Sequence, residues 1–291
     1  MSNDDRVWTV LSMLEWATDY FEKKGVPNPR LSIEWIIADV LQIKRLDIYL
    51  QYDRPFSSEE LDELRPLVKR RGSHEPLQYI TGSAEFMSCS IKVTPDVLIP
   101  RAETEQLVEL IIERHSDRSS ALSLLDIGTG SGCIPIAIKK EFSAWKCAGV
   151  DISEAALKVA RHNAKINEAD VHFFKGDLFS LENNPEISGK NWDVIVSNPP
   201  YIKEEEKKEM ENEVLNFEPG IALFHNQPLS IYKSIISFAS SKRAVLYLEC
   251  NDKFASKILD LAEQYYADSE LLKDLDGNDR FVVAANAQKK Q

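Results

Sequence analysis

The chain has 291 residues, 47 acidic against 35 basic, for a formal charge of −12. That length suggests about two domains, and 43% hydrophobic with 28% charged residues excludes wholesale disorder. No apolar run reaches the ~18 residues of a membrane span, the polar start Met1 to Asp5 lacks a secretory pattern, and the acidic balance argues against a broad grip on nucleic acid, which needs clustered Lys and Arg.

Residues 1–75 read as a small helical bundle. Val7, Val10, Leu11, Leu14, Ala17 and Phe21 recur at helical steps, and Gly25 with Pro27 stops that helix. A second stripe runs through Leu31, Trp35, Ala38 and Leu41. A third helix starts at Ser57, with Glu60 completing a capping box; Leu61, Leu64, Leu67 and Val68 form its apolar face, and Pro66 is expected to kink or divide it. Residues 76–100 read as a β-hairpin linker, with Tyr79 to Gly82 leading into Phe86 to Val93 around a glycine turn. Residues 101–291 alternate helices with apolar strands, which argues for a parallel, doubly wound α/β sheet. Its strands are expected at 122–127, 147–151, 171–174, 192–197 and 244–249. A final pair near 266–273 and 280–285, turning at Asp276-Gly277-Asn278, forms an antiparallel edge hairpin.

Between the first of these strands and its helix lies Asp126-Ile127-Gly128-Thr129-Gly130-Ser131-Gly132. Glycines let the backbone turn sharply and a ligand approach it closely. A dinucleotide fingerprint has the spacing GxGxxG; here the spacing is GxGxG and Cys133 takes the later slot. With an acid at the strand end, the pattern resembles S-adenosylmethionine-dependent methyltransferases. Asp151 ends the next strand, where a carboxylate can accept from ribose hydroxyls or cap the helix beginning near Ser153. After the third strand, Asp177 is placed to accept from an adenine amine and Leu178 to cover the ring; the alternative is a surface turn.

Ser197-Asn198-Pro199-Pro200-Tyr201 follows the fourth strand. A planar amide or arylamine nitrogen is a poor nucleophile because its lone pair is delocalised. Two acceptors, the Asn198 side-chain oxygen and the Pro199 carbonyl, can hold both of its N–H groups and favour a more pyramidal nitrogen. Pro199 and Pro200 stiffen the turn, and the Tyr201 ring can stack on the planar group. Such chemistry runs on positioning and fixed dipoles. Asn198, Pro199 and Tyr201 are therefore the catalytic candidates, with Pro200 in the substrate turn and Asn198 also beside the cofactor.

Glu75 to Gly82, Val97 to Arg101 with Glu103-Thr104-Glu105, Asp126 to Gly132, Asn198 to Ile202, Phe217-Glu218-Pro219 and Gly277 to Arg280 together resemble the bacterial peptide-chain release factor glutamine N5-methyltransferases, the PrmC/HemK family. Ala102 departs from the proline usual after that arginine. The resemblance implies a Rossmann-like class I methyltransferase domain, with a helical N-terminal domain that grips the release factor. It implies S-adenosylmethionine at Gly128–Gly132, Asp151, Asp177 and Leu178, and the target glutamine of a Gly-Gly-Gln loop at Asn198–Tyr201. Arg101, Glu103 and Glu105 either shape the substrate cleft or form an acidic first turn favoured by the helix dipole.

Lys203 to Glu213 is read as a solvated helix face with room for a lid. Glu249 is read as capping the following helix, in preference to facing the cleft. Four cysteines without a CxxC pair, Cys89, Cys133, Cys147 and Cys250, fit a reducing cytoplasm, with Cys133 and Cys147 packing as small apolar groups. The dispersed histidines assign no metal. A monomer that binds neither membrane nor nucleic acid is expected. The competing readings are an adenine-N6 or guanine-N2 methyltransferase of DNA or RNA, and a non-catalytic binding module that keeps the fold.

Overall fold

Residues 7–116, 121–200, 212–223 and 226–288 are described in the computed structural model of the chain. Its first helix, α1 (Val10–Lys24), opens with a reciprocal cap between Thr9 and Ser12 and closes at Gly25, whose φ of 70° suits a residue without Cβ. α1 buries Val10, Met13, Leu14, Ala17 and Phe21; Val7 lies ahead of the helix and is exposed. α2 (Pro29–Leu41) turns inward a face rotated from the expected stripe, keeping Ala38 in the core and Leu41 packed against it. Ile33, Ile36, Ile37 and Ala38 are buried, whereas Leu31 and Trp35 are each 40% exposed. Its apolar residues are spread over two overlapping stripes, and the one carrying three isoleucines is buried. Trp35 instead lies beneath the Arg45 guanidinium.

α3 (Ser58–Arg71) carries the expected capping box between Ser57 and Glu60. Pro66 does not divide it. Pro66 and Asp62, whose carbonyl loses its usual N–H partner, both lie on the exposed face where water can bond that carbonyl. Tyr79 to Thr81 is no strand lead-in but part of α4 (Leu77–Thr81), and Gly82 (φ 76°) ends that turn. The hairpin, β1 (Ser83–Phe86) and β2 (Cys89–Lys92), reverses at Met87 and Ser88, with Met87 at φ 52° and its N–H bonded to the Glu105 carboxylate at 2.5 Å.

Next in the chain come α5 (Ala102–Arg114), β3 (Ser123–Ile127), α6 (Cys133–Glu141), β4 (Lys146–Asp151), α7 (Glu154–Ile166), β5 (Val171–Lys175), α8 (Pro185–Ser188) and β6 (Val194–Ser197). After them stand α9 (Asn212–Phe217), α10 (Gly220–Leu223), α11 (Pro228–Lys242), β7 (Val245–Glu249), α12 (Asp252–Glu263), β8 (Tyr266–Lys273) and β9 (Asp279–Ala287). The sheet order is β5-β4-β3-β6-β7-β9-β8. The first five strands are parallel, and β9 runs antiparallel to both neighbours. Its core joins Leu125, Val150, Ile195 and Leu248 to Tyr232 and Ile235 of α11 and Ile258 of α12.

Two compact units result: Met1–Gly82 with Glu211–Phe217, and Ser83–Met210 with Glu218–Gln291. The stretch read as a linker is thus divided between them, because β2 is held by the second unit. The Asn163 side chain of α7 accepts from the Lys92 N–H at 2.8 Å and donates to the Lys92 carbonyl at 3.0 Å, and Cys89 and Ile91 are buried. Within the first unit, buried Arg71 pairs with Glu213 of α9 at 2.8 Å and donates to Ser32 Oγ and to the Pro27 and Glu75 carbonyls. Most of the Lys203–Glu213 run lies outside the described residues. No described helix is long and apolar enough to cross a membrane.

Candidate active site at the carboxyl edge of the sheet

Strand order reverses between β3 and β6, where open α/β sheets hold their ligands. In the register Asp126 pairs with Val196, so Gly128 and Asn198 leave adjacent strands at equivalent positions. The Ser197 hydroxyl fastens the two strand ends by donating to the Ile127 carbonyl at 2.6 Å.

Gly128, Gly130 and Gly132 all have positive φ, at 76°, 52° and 79°. Space around the first two is open, with no atom within 4 Å of where a Cβ would stand. A Cβ on Gly132 would lie 3.0 Å from the Phe173 ring and 3.1 Å from Ala160 Cβ. The loop thus keeps two glycines clear for close approach and the third for packing of α7 and β5. Thr129 and Ser131 are buried, and the Ser131 carbonyl accepts from Asn163.

Asp151 braces this loop. One carboxylate oxygen accepts from the Gly130 N–H at 2.9 Å and the other from the Ser153 N–H at 2.9 Å, while the Ser153 hydroxyl caps α7. Burial pushes the Asp151 carboxyl up, against those backbone donors. Asp126 is fully enclosed, and neither of its oxygens, nor Thr129 Oγ1, has a hydrogen-bond partner among the described residues. Burial raises its pKa to about 7; the nearby Thr129 hydroxyl opposes the rise without reaching bonding geometry, and the Asp151 charge adds to it. A buried acid and hydroxyl left unpaired beside an open glycine loop fit a polar ligand that brings its own donors. Asp177 is exposed and caps a short 3-10 turn by accepting from the Phe179 N–H at 2.9 Å; Leu178 begins that turn, half-buried.

Pro199 is buried; Asn198 and Pro200 are half-buried. The Asn198 side-chain Nδ2 donates to Thr104 Oγ1 at 3.1 Å, and Thr104 Oγ1 donates to Glu249 Oε2 at 2.8 Å. Thr104 stands in the first turn of α5 and is buried. Burial lifts the Glu249 carboxyl to about 7, opposed by the Thr104 hydroxyl and by Arg280 and Arg101, with Glu103 adding to the rise. The capping role expected of Glu249 belongs to Asn251, whose side chain accepts from the Lys253 N–H. Neither Thr104 nor Glu249 was among the sequence candidates for the site. The signal for Glu249, an acid closing an apolar parallel strand, was present.

A PrmC N-terminal domain model matches residues 12–82, and a Methyltransferase small domain model matches residues 103–217. The release factor glutamine methyltransferase of Bacteroides thetaiotaomicron is 41% identical over 255 residues, 86% of this chain and 90% of that protein. That of Geobacter sulfurreducens is 39% identical over 240 residues, 82% of each chain. The protein of the same name from Chlorobaculum tepidum is 35% identical over 286 residues, 95% of this chain and 97% of that one. The chain belongs to the release factor glutamine methyltransferase family.

The fold of this family member is shared more widely. The hMettl16 catalytic domain in complex with MAT2A 3′UTR hairpin 6 matches it with a TM-score of 0.52 at 17% identity, over 79% of this chain and 82% of that one, a likeness of fold alone. Two motifs that carried the family resemblance act as braces. Glu218 accepts from Arg101 at 2.5 Å and, more weakly, from the Ile99 N–H at 3.4 Å. Asp274 accepts from Arg280 Nε at 3.0 Å and from the Asn278 N–H at 2.8 Å, closing the β8–β9 turn, and Arg280 also donates to the Cys250 carbonyl. Glu105, by holding Met87, serves the hairpin. All four cysteines are buried and free, and burial pushes Cys133, Cys147 and Cys250 up to about 12, as for small packed groups. Tyr201 lies outside the described residues.

Proposed function

We propose that this chain transfers a methyl group from S-adenosylmethionine to the side-chain amide nitrogen (N5) of the glutamine in the Gly-Gly-Gln loop of peptide-chain release factors, and so modulates translation termination. The observation that carries the reading is that Asn198-Pro199 directly follows β6, the strand paired with β3 that feeds the glycine loop, so the two leave the sheet side by side. Family membership agrees with it.

Bound S-adenosylmethionine supplies a methyl carbon activated by its sulfonium. Gly128, Thr129, Gly130, Ser131 and Gly132 hold it against the backbone. Asp126 and Thr129 offer unpaired buried oxygens to its donors, and Asp151 offers its remaining lone pairs to the ribose hydroxyls. Asp177 and Leu178 meet the adenine. The target amide donates one N–H to Asn198 Oδ1 and the other to the Pro199 carbonyl, which draws the nitrogen out of full conjugation. Pro200 stiffens the turn, and Tyr201 is assigned the stacking face. As the nitrogen takes the methyl, the carbon–sulfur bond would break and release the neutral thioether S-adenosylhomocysteine, and the nitrogen would then lose its extra proton to water, so no strong base is required of the chain.

The first unit, residues 1–82 with 211–217, is assigned recognition of the release factor. Action is in the cytoplasm, as a monomer, without direct contact to nucleic acid. Asn198→Ala tests the central role. We expect turnover on a release factor to fall by ~10²–10³, as for loss of one well-placed acceptor, while calorimetry finds cofactor affinity unchanged. Near-normal turnover would remove Asn198 from the chemistry.

A further inference from the structure

We infer that Thr104 and Glu249 are positioning residues that fix which way the Asn198 carboxamide faces, so that its oxygen and not its NH2 is offered to the target amide. The inference rests on the reading of Asn198 as an acceptor for that amide and names what keeps it one. A carboxamide can turn over end for end with little change in shape, and only its hydrogen-bond partners choose the orientation.

The chain Asn198–Thr104–Glu249 has a single polarity when Glu249 is ionised. A carboxylate only accepts, so the Thr104 hydroxyl spends its one hydrogen on Glu249 Oε2. The lone pairs left on Thr104 Oγ1 then require a donor, and Asn198 Nδ2 is that donor. Oδ1 is thereby left pointing away from Thr104 as a free acceptor. A turned amide would set Oδ1 against the Thr104 lone pairs. Protonating Glu249 removes the constraint: its O–H can donate to Thr104, whose hydrogen is then free to face Asn198 and favour the turned amide. Two N–H groups would then confront the two N–H groups of the target.

Burial makes the pair a fixed dipole, since Thr104 is 3% and Glu249 1% exposed. The charged and titratable groups acting on Glu249 are Arg101 and Glu103 at the start of α5 and Arg280 on β9; Cys250 adjoins it in the chain, and the Cys133 thiol at the start of α6 also senses it. The Tyr232 hydroxyl is engaged with the backbone carbonyl of Glu249 at 3.0 Å, which holds the strand end without competing for the carboxylate.

The experiment compares Thr104→Val, Thr104→Ser, Glu249→Gln and Asn198→Ala on full-length release factor, with kcat, KM, cofactor affinity and melting temperature read for each. Thr104→Val keeps the shape and loses the hydroxyl; we expect kcat to fall ~10–100-fold with KM and cofactor affinity within ~3-fold. Thr104→Ser restores the hydroxyl and recovers most of that loss. Combining Thr104→Val with Asn198→Ala should cost no more than Asn198→Ala alone, because the valine acts only through the asparagine. In the parent protein kcat falls as pH drops through the titration of Glu249, and Glu249→Gln removes that limb. A Thr104→Val enzyme with parental kcat, or an additive double variant, overturns the inference. If Thr104→Val fails to fold, Thr104→Ser against Glu249→Gln decides: an unchanged acid limb in Glu249→Gln overturns it equally. An active Asn198→Ala would instead sink the reading of the site itself.

Discussion

Gly130 and Gly132 share a left-handed backbone, yet alanine at each position meets different surroundings. At Gly132 (φ 79°) it adds a Cβ 3.0 Å from the Phe173 ring, so strain and crowding together should cost ~2–4 kcal/mol of stability. At Gly130 (φ 52°) the Cβ meets no protein atom, so only the ~1–2 kcal/mol of left-handed strain applies. Gly130→Ala should therefore lose cofactor affinity more than melting temperature, and Gly132→Ala the reverse, as calorimetry and thermal melts will report; equal effects on both would remove the division of labour. Asp126 adds a pH signature. Its carboxyl titrates near 7 in the folded chain against 3.8 ordinarily, so the folded state binds the proton more tightly. Ligand-free stability must then fall as pH rises from about 4 to about 7, by an amount on the order of 4 kcal/mol for this group, with Glu249 adding in the same direction. Urea midpoints at pH 5.5 and 8 should show the drop, and Asp126→Asn should shrink it; an undiminished drop would mean that Asp126 is not the group titrating. The sequence made Asp126 and Asp151 visible because each closes an apolar strand. The contact of Asp151 with the Ser153 N–H is local and stood beside the expected start of α7, but its bond to the Gly130 N–H was not legible, since that depends on how the loop folds back.

At the level of elements, the legible features were those with local causes. The Ser57–Glu60 box, the Ser153 cap and the Gly277 turn are written within four residues, and all three stand in the fold. The inward face of α2 was only partly legible, because its apolar residues are spread over two overlapping stripes and tertiary packing selects one, burying Ser32 and Glu34 with the isoleucines. The hairpin turn was misplaced for a related reason. Gly82 looked like the turn residue, but it closes α4, while Met87 accepts positive φ with the Glu105 carboxylate on its N–H. Asn163 is the long-range counterpart of such local caps. Fully buried, it bonds both main-chain groups of Lys92 and the Ser131 carbonyl, joining hairpin, α7 and glycine loop. Asn163→Ala strands those groups and should lower unfolding free energy by ~2–4 kcal/mol in urea titration. A change below ~0.5 kcal/mol, the level of an unremarkable surface site, would show the brace to be dispensable.

Across the whole molecule, alternation of strands and helices announced the parallel sheet and its antiparallel edge, and the sheet gathers the candidate residues at one edge. Gly128, Asp151, Asp177 and Asn198 each follow or close a different parallel strand, so a strand-by-strand reading found them without a structure. Glu249 also closes a parallel strand and was visible there, but as a helix cap; its link to Thr104 spans 145 residues and Asn198 lies 94 residues from Thr104, so no local spacing encodes the contacts that bring both into the site. The proposed function gives release-factor recognition to the first of the two units and chemistry to the second, and its rival is a nucleic acid target for the same site. The most direct test is mass spectrometry of a full-length release factor, and of nucleic acid in parallel, after incubation with this protein and S-adenosylmethionine. One added methyl on the glutamine of the Gly-Gly-Gln loop, lost when that glutamine is replaced, is the expected result; methyl groups on base amines, or on the release factor at residues other than that glutamine, would contradict it.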